Sequence, residues 1–337
     1  MRTRDGCGWR SDGGDAVRGW RRDFGDADEQ AACLDSLYPQ CYDQLDAGRF
    51  RGEMIHVDLD GVIVVRERVN RRLMQTGSMR SPSIGWLLRS EGRFRFNREE
   101  FEPRSAIFYR QGSEFEIQAA PSDLIGIAIV PERLTQATRW LAPLSAPGAC
   151  EGVRRLPDVV QTRLQRAAQQ ALALLDAAPD VARAARSGTL RQELVDLMLT
   201  VAALPRLDAS RRRGRARTFD RVVLAAQREI ATDLAHPVST EALCRRIGVS
   251  RRNLFYAFDE VLGVSPSHYR QTLRLNAVRR AIKAQAPVAA PIADIAWTAG
   301  FAHPSRFAAE YRRLFGERPC ETRRRALETA RSRPTAD

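Results

Sequence analysis

Two stretches of the chain, residues 239–266 and 292–319, each carry apolar residues at helical spacing on both sides of a single glycine, and this repeated pattern restricts the fold of the whole C-terminal third. In the later stretch, Ile292, Ile295 and Ala296 follow a period of 3.6. Gly300 stands where a helix must end with positive φ, and Phe307, Tyr311, Leu314 and Phe315 resume the period. The earlier stretch repeats the design, with Leu243 and Ile247 before Gly248, then Leu254, Phe258 and Leu262 after it. Each reads as helix, tight turn, helix, so one chain carries two helix-turn-helix units.

What surrounds these units follows from length and charge. A chain of 337 residues exceeds one ordinary core and fits two domains. Lys plus Arg number 54 against 41 Asp plus Glu, a net charge of +13 with pI near 10.4, which calls for an anionic partner. Nearly all of that charge is arginine, Lys283 being the one lysine. Residues 220–325 hold 18 basic against 10 acidic side chains, so +8 sits on about a third of the chain. Counterion release would give such a domain a sequence-independent affinity for double-stranded DNA.

Other classes find little support. The six cysteines lie far apart, with no C-x-x-C pair and no histidine at metal-ligand spacing, so we expect a reduced chain with no metal and no cofactor. The longest apolar run, residues 124–130, is far too short to span a membrane, and the first residues lack the apolar core of a signal peptide. A cytoplasmic location follows. No phosphate loop, nucleophile elbow or Ser/His/Asp arrangement is present, which points away from an enzyme.

Read in order, residues 1–25 are rich in Gly and charge and are expected to be a disordered tail. Residues 26–204 form an effector-sensing domain, a polar helix ended by Pro39 and then strands. Residues 53–60 alternate, Asp60-Gly61 is a hairpin turn signal, and residues 62–69 return as a β-branched strand. Further strand-like runs at 84–88, 94–96, 106–109, 115–118 and 124–130 complete a small, cupin-like β-barrel or sandwich that could hold one small ligand. His56, Asp58 and Asp60 share one strand face, which reads as a solvated face running into the turn.

Pro131 opens a helix through Leu141, followed by a linker. Next comes a helical hairpin with Leu164, Ala168, Ala171 and Leu175 on one arm and Leu190, Leu194, Leu197, Val201 and Leu204 on the other. It packs on itself or on the barrel, or else makes a dimer interface. Residues 205–218 are an arginine-rich linker, 219–325 the all-α domain, and 326–337 a tail. The overall class is α+β.

Specificity needs side chains on the exposed face of the second helix of each unit. With Ser250 as N-cap and Leu254 and Phe258 inward, Arg251, Arg252, Phe255 and Tyr256 face outward, and Arg252 is the strongest base reader because arginine pairs bidentately with guanine. With Phe307 and Tyr311 inward, His303, Ser305, Arg306, Ala309 and Glu310 face outward, Arg306 leading. The helix opened by Ser265-Pro266 holds the two readers apart, as entry into successive major grooves requires.

The second domain resembles the AraC/XylS family of bacterial transcription regulators through Ile295-Ala296, Gly300-Phe301, Ser305, Phe307, Tyr311, Arg312, Phe315-Gly316 and Pro319, preceded by Leu254, Phe258, Gly263, Ser265-Pro266, Tyr269 and Arg274-Leu275. The resemblance implies a bipartite domain on two adjacent major grooves, with RNA polymerase recruited for activation. It places base-reading positions at Arg252, Phe255 and Tyr256 and at Pro304, Ser305 and Ala309, with Arg306 beside them. Ala309 stands where a long polar residue is often found, and Arg318 replaces the usual small hydroxyl before Pro319. The amino-terminal part looks like the sensing domain of the ethanolamine-utilisation regulator branch, in residues 26–73 and in the shared RLNAVRR of the connecting helix. That likeness implies a small-molecule effector, ethanolamine being one candidate. The expectation is therefore a sequence-specific regulator controlled by an effector, and possible as a homodimer. The alternative is a DNA-binding domain fused to an enzymatic or repair domain, for which the scattered cysteines supply neither a nucleophile motif nor a zinc site.

Overall fold

In the computed structural model of the chain the described residues are 17–101, 104–130, 151–178, 181–207, 214–232, 234–235, 238–286 and 290–331. The chain divides into two compact units, one of Met1–Tyr42 with Arg51–Asp208 and the other of Asp43–Phe50 with Ala209–Asp337.

Twelve strands are described, all in the first unit save the last two residues of β2: β1 (Val17–Phe24), β2 (Gln40–Gln44), β3 (Gly52–Leu59), β4 (Val62–Val69), β5 (Leu73–Ser78), β6 (Ser83–Ser90), β7 (Arg95–Phe96), β8 (Glu99–Glu100), β9 (Ser105–Tyr109), β10 (Glu114–Ala119), β11 (Ser122–Ile129) and β12 (Gly152–Arg155). They form two open sheets, ordered β1-β3-β4-β11-β6-β9-β12 and β2-β5-β10-β7-β8. Of the barrel and sandwich alternatives, the barrel is therefore corrected: both orders are linear, with β1 and β12 as the edges of one sheet and β2 and β8 as those of the other. Side chains of both sheets, including Ile55, Val64, Phe96, Ile117 and Ile127, share one buried core.

Local chemistry explains the strands that were legible. Asp60 (φ 51°) and Gly61 (φ 95°) form the two-residue turn between β3 and β4, both central residues having positive φ as a hairpin turn of this twist demands. The tail is corrected in part. Residues 17–24 are ordered as β1, paired antiparallel with β3 from Val17↔Leu59 to Phe24↔Gly52, and residues 1–16 lie outside the described residues. Trp20 in β1 stacks on His56 with ring centroids 5.3 Å apart and planes 6° from parallel. His56 and Asp58 are consequently buried rather than solvated, and only Asp60 of that trio is exposed, paired with Arg191 at 2.9 Å. The polar helix is shorter than the pattern suggested: α1 (Ala27–Ala32), capped by Asp26, ends seven residues before Pro39.

The helical hairpin is present as α2 (Asp158–Ala173) and α3 (Val181–Ala203). Leu164, Ala168, Ala171, Leu190, Leu194, Leu197 and Val201 are all buried in the core of the sheets, so this stripe packs on the sheet. The expected helix at 131–141 and most of the linker after it lie outside the described residues.

The second unit is helical: α4 (Gly214–Thr232), α5 (Thr240–Ile247), α6 (Arg251–Leu262), α7 (Pro266–Ala284), α8 (Ile292–Thr298), α9 (Pro304–Phe315) and α10 (Pro319–Arg331). Of the expected linker, Leu207 donates its N–H to Val153 O (2.8 Å), residues 208–213 are outside the described set, and 214–218 already belong to α4. The tail from 326 is likewise shorter, since α10 runs to Arg331. Leu275, Val278 and Ile282 of α7 meet Ile295, Phe307, Tyr311 and Phe315 in a buried cluster. Beside it, Glu317 takes Arg279 at 2.9 Å, Thr322 Oγ1 at 2.7 Å and Arg325, a buried carboxylate surrounded by donors.

One part of this unit comes from far upstream. Asp43–Phe50 belongs to it, against the contiguous boundary at 204. Gln44 exchanges backbone hydrogen bonds with the Asn276 side chain, N to Oδ1 at 3.1 Å and Nδ2 to O at 3.0 Å. Its own Nε2 donates to Leu314 O at 2.7 Å, and Asp43 pairs with Arg280 at 2.8 Å.

Candidate nucleic-acid interface

The first helix-turn-helix unit is α5 and α6. Ser239 caps α5 by accepting from Ala242 N, and Ser250 caps α6 by accepting from Asn253 N, each satisfying an N–H that the helix leaves open. Between them Gly248 has φ 69°, and its N–H closes α5 on Cys244 O. Leu254, Ala257, Phe258, Val261 and Leu262 bury one face of α6. The opposite face carries the expected residues. Arg251 and Arg252 are exposed, Tyr256 is 48% exposed, and Phe255 is half-buried.

Each arginine lies over the aromatic ring one turn later, Arg251 over Phe255 (5.6 Å to the centroid) and Arg252 over Tyr256 (5.3 Å). Arg251 also pairs with Glu241 at 3.3 Å. The carboxyl of Glu241 is held below its ordinary range by a hydrogen bond from its own backbone N–H and by Ser239, so it stays ionised beside Arg251. Arg252 bonds to the Tyr256 hydroxyl at 3.3 Å, a neutral partner that leaves its charge uncompensated.

The second unit is α8 and α9. Gly300 has φ 79°, and a Cβ there would stand 2.0 Å from Ala235 O and 2.6 Å from Arg274 Nη2. Arg274 in α7 fixes this turn: its Nε and Nη2 donate to Ala299 O at 2.9 and 2.7 Å, and its guanidinium lies 4.3 Å from the Phe301 ring centre. His303 occupies the N-cap of α9 without a side-chain bond, and Pro304 opens the helix. Phe307, Tyr311, Leu314 and Phe315 are buried, while Ser305, Arg306 and Ala309 are exposed.

The structure does not gather those three residues at one place. Arg306 and Glu310 form an ion pair at 2.9 Å and line a depression of about 350 Å³ with Arg270, Gln271 and Arg274 of α7. Ala309 instead lines an apolar depression of about 400 Å³ with Ile292, Pro304 and Pro319. Ser305, Ala309 and Arg312 follow one another at one-turn spacing on the exposed face. Three further basic side chains, not singled out from the sequence as readers, lie near these positions: Arg312 and Arg313, both exposed in the last turn of α9, and Arg270 beside Arg306. The i, i+4, i+7 series Arg306, Glu310, Arg313 was the available signal.

Residues 243–325 match a family model described as a helix-turn-helix domain. This part of the chain is a helix-turn-helix domain. The chain is 33% identical over 107 residues to the XylDLEGF operon transcriptional activator of Pseudomonas putida, covering 32% of this chain and 32% of that protein. It is 33% identical over 85 residues to a probable thc operon regulatory protein of Rhodococcus erythropolis, 25% of this chain and 26% of that protein. Among solved structures, the AraC-like transcriptional activator CuxR aligns with a TM-score of 0.42 and 16% identity, over 82% of this chain and 100% of that one. The chain thus spans between about a quarter and a third of the length of these two sequence relatives. Among the described residues no helix is long and apolar enough to cross a membrane, and no group of three His, Cys, Asp or Glu could hold a metal ion.

Proposed function

We propose that the chain is a transcriptional regulator of the AraC/XylS family that binds double-stranded DNA through α6 and α9 in two adjacent major grooves. The observation that carries this reading is the pair of helix-turn-helix units, each presenting an exposed arginine-bearing second helix, held apart by α7. At 19 residues α7 is about 28 Å long, commensurate with the ~34 Å that separates successive major grooves on one face of the duplex. Arg252, Phe255 and Tyr256 read bases in the first groove, with Arg251 neutralised in part by Glu241 and closer in role to a phosphate contact. Ser305, Arg306 and Ala309 serve the second groove, where fewer polar side chains are available for base edges.

Activation is supported by the similarity to the Pseudomonas putida protein, an operon transcriptional activator. RNA polymerase is then a partner, and the first unit senses a small-molecule effector, with homodimerisation available to the chain. The resemblance to the ethanolamine-utilisation branch rests on the sequence alone.

The decisive experiment is genome-wide mapping of bound sites followed by footprinting of the strongest. Discrete sites with two protected major-groove segments about one helical turn apart are expected. Uniform coverage without discrete sites would sink the regulator reading.

A further inference from the structure

The second helix of the second unit, α9, is flanked by two unlike depressions. On one side Arg306 is drawn to Glu310 beside Arg270 and Arg274, and on the other Ala309 opens onto the apolar depression of about 400 Å³. Ile292, Phe307 and Pro319 line this hollow from below the surface, and exposed Pro304, Ala308 and Ala309 form its lip. Pro304 and Ala308 stand one helical turn apart on the same face of α9. Positions 308 and 309 are both alanine, so neither sends a long side chain across the opening.

The charge around the hollow has one sign. Among the described residues its charged lining consists of Arg312 and Arg318, both exposed and neither with an ion-pair partner. An apolar hollow edged by uncompensated guanidinium groups suits a polyanion that carries an apolar group. In the major groove adenine, guanine and cytosine offer only donors and acceptors, whose burial against hydrocarbon leaves them unpaired at a cost, whereas thymine offers a methyl group. The lip of the hollow lies on the exposed face of α9 that also presents Ser305, so a docking that brings Ser305 to base edges brings the hollow there too.

We propose that this hollow receives the C5-methyl group of a thymine in the second major groove, while Arg312 and Arg318 meet the phosphates that border it. This rests on the reading of α9 as a groove-binding helix and names the base that it selects. From Pro304 to Arg312 the helix axis rises about 12 Å, the length of about three to four base pairs, so the methyl seat and the Arg312 contact belong to one short segment of operator. The second unit, with few polar side chains for base edges, then selects by shape and apolar contact where the first selects through Arg252.

The test uses the full chain and the strongest mapped site, with each thymine of the segment protected by α9 replaced in turn by deoxyuridine, which pairs as thymine does and lacks only the methyl group. Competition binding should weaken about fourfold at one or two of these positions, the worth of withdrawing one methyl group from water. In Ala309→Gln, a substitution at an exposed position that suits a helix and fills the hollow, that difference between thymine and deoxyuridine should vanish, and thermal melting checks that the variant folds. Unchanged affinity at every substituted thymine, or the same losses in Ala309→Gln, would overturn the proposal. So would a variant that binds every operator like the parent but no longer activates transcription with RNA polymerase, since the hollow would then be a protein contact. The mapping itself separates this failure from that of the regulator reading: discrete sites without a deoxyuridine effect remove only the methyl seat, whereas no discrete sites remove the regulator.

Discussion

Arg252 and Glu67 are opposite uses of charge in one chain. Arg252 is exposed, stacked on Tyr256 and bonded to its hydroxyl, which holds the guanidinium in one orientation, as the proposed contact with a base edge requires. Arg252→Ala should cost about 1–3 kcal/mol of discrimination at one base pair, read by competition binding against operators substituted at single positions. If specific and random DNA weaken alike, its contact is with phosphate. Glu67 works by burial. Its folded pKa lies above the ordinary 4.5, so the stability it contributes is present at and below that value and is lost as pH rises through the raised folded value. The groups facing it, Tyr38, Tyr42, Tyr109 and Gln30, stay uncharged through this range, because burial raises all three phenols. Glu67→Gln should therefore gain stability relative to the parent as pH rises from 4.5, measured as the difference between urea midpoints of the two proteins across pH. A pH-independent difference would show that Glu67 does not titrate in this window.

The elements were legible where their causes are local. Ser239, Ser250 and Ser265 cap helices as their positions suggested, and Gly248, Gly263, Gly300 and Gly316 all take positive φ at helix ends. At Gly300 two constraints coincide, the positive φ and the 2.0 Å approach of a Cβ to a backbone oxygen that cannot swing away. Gly300→Ala should lower the melting temperature of the second unit by an amount corresponding to more than ~1 kcal/mol, and footprints should lose the segment covered by α9 first. Elements with distant causes were hidden. VRGWRRDF reads as charged tail until β3 supplies its hydrogen bonds and His56 its stacking partner, and short polar strands such as GVRR of β12 exist only because β9 lies beside them. The exposed face proposed to read bases was legible for α6, whose apolar positions leave a single outward arc. On α9 it was not, because the Glu310 ion pair draws Arg306 to one side while Ala309 opens onto an apolar hollow.

For the whole molecule, composition announced a basic helical half and periodicity located it, but neither could reveal that Asp43–Phe50 belongs to it, since that depends on hydrogen bonds spanning more than two hundred residues of sequence. Asn276→Leu removes both bonds to the Gln44 backbone and leaves a buried N–H and C=O unanswered. It should cost about 1–3 kcal/mol by denaturant titration, while leaving the salt dependence of DNA binding unchanged because no basic group is lost. A flattened salt slope would mean that the segment also orders phosphate contacts. For anyone cutting the gene, a fragment whose first codon is 209 encodes most of the reader without the eight residues that answer Asn276 and the Leu314 carbonyl. The smallest transplantable version is discontinuous in the gene, and a chimera that keeps a foreign sensor must carry codons 43–50 along with everything after 208.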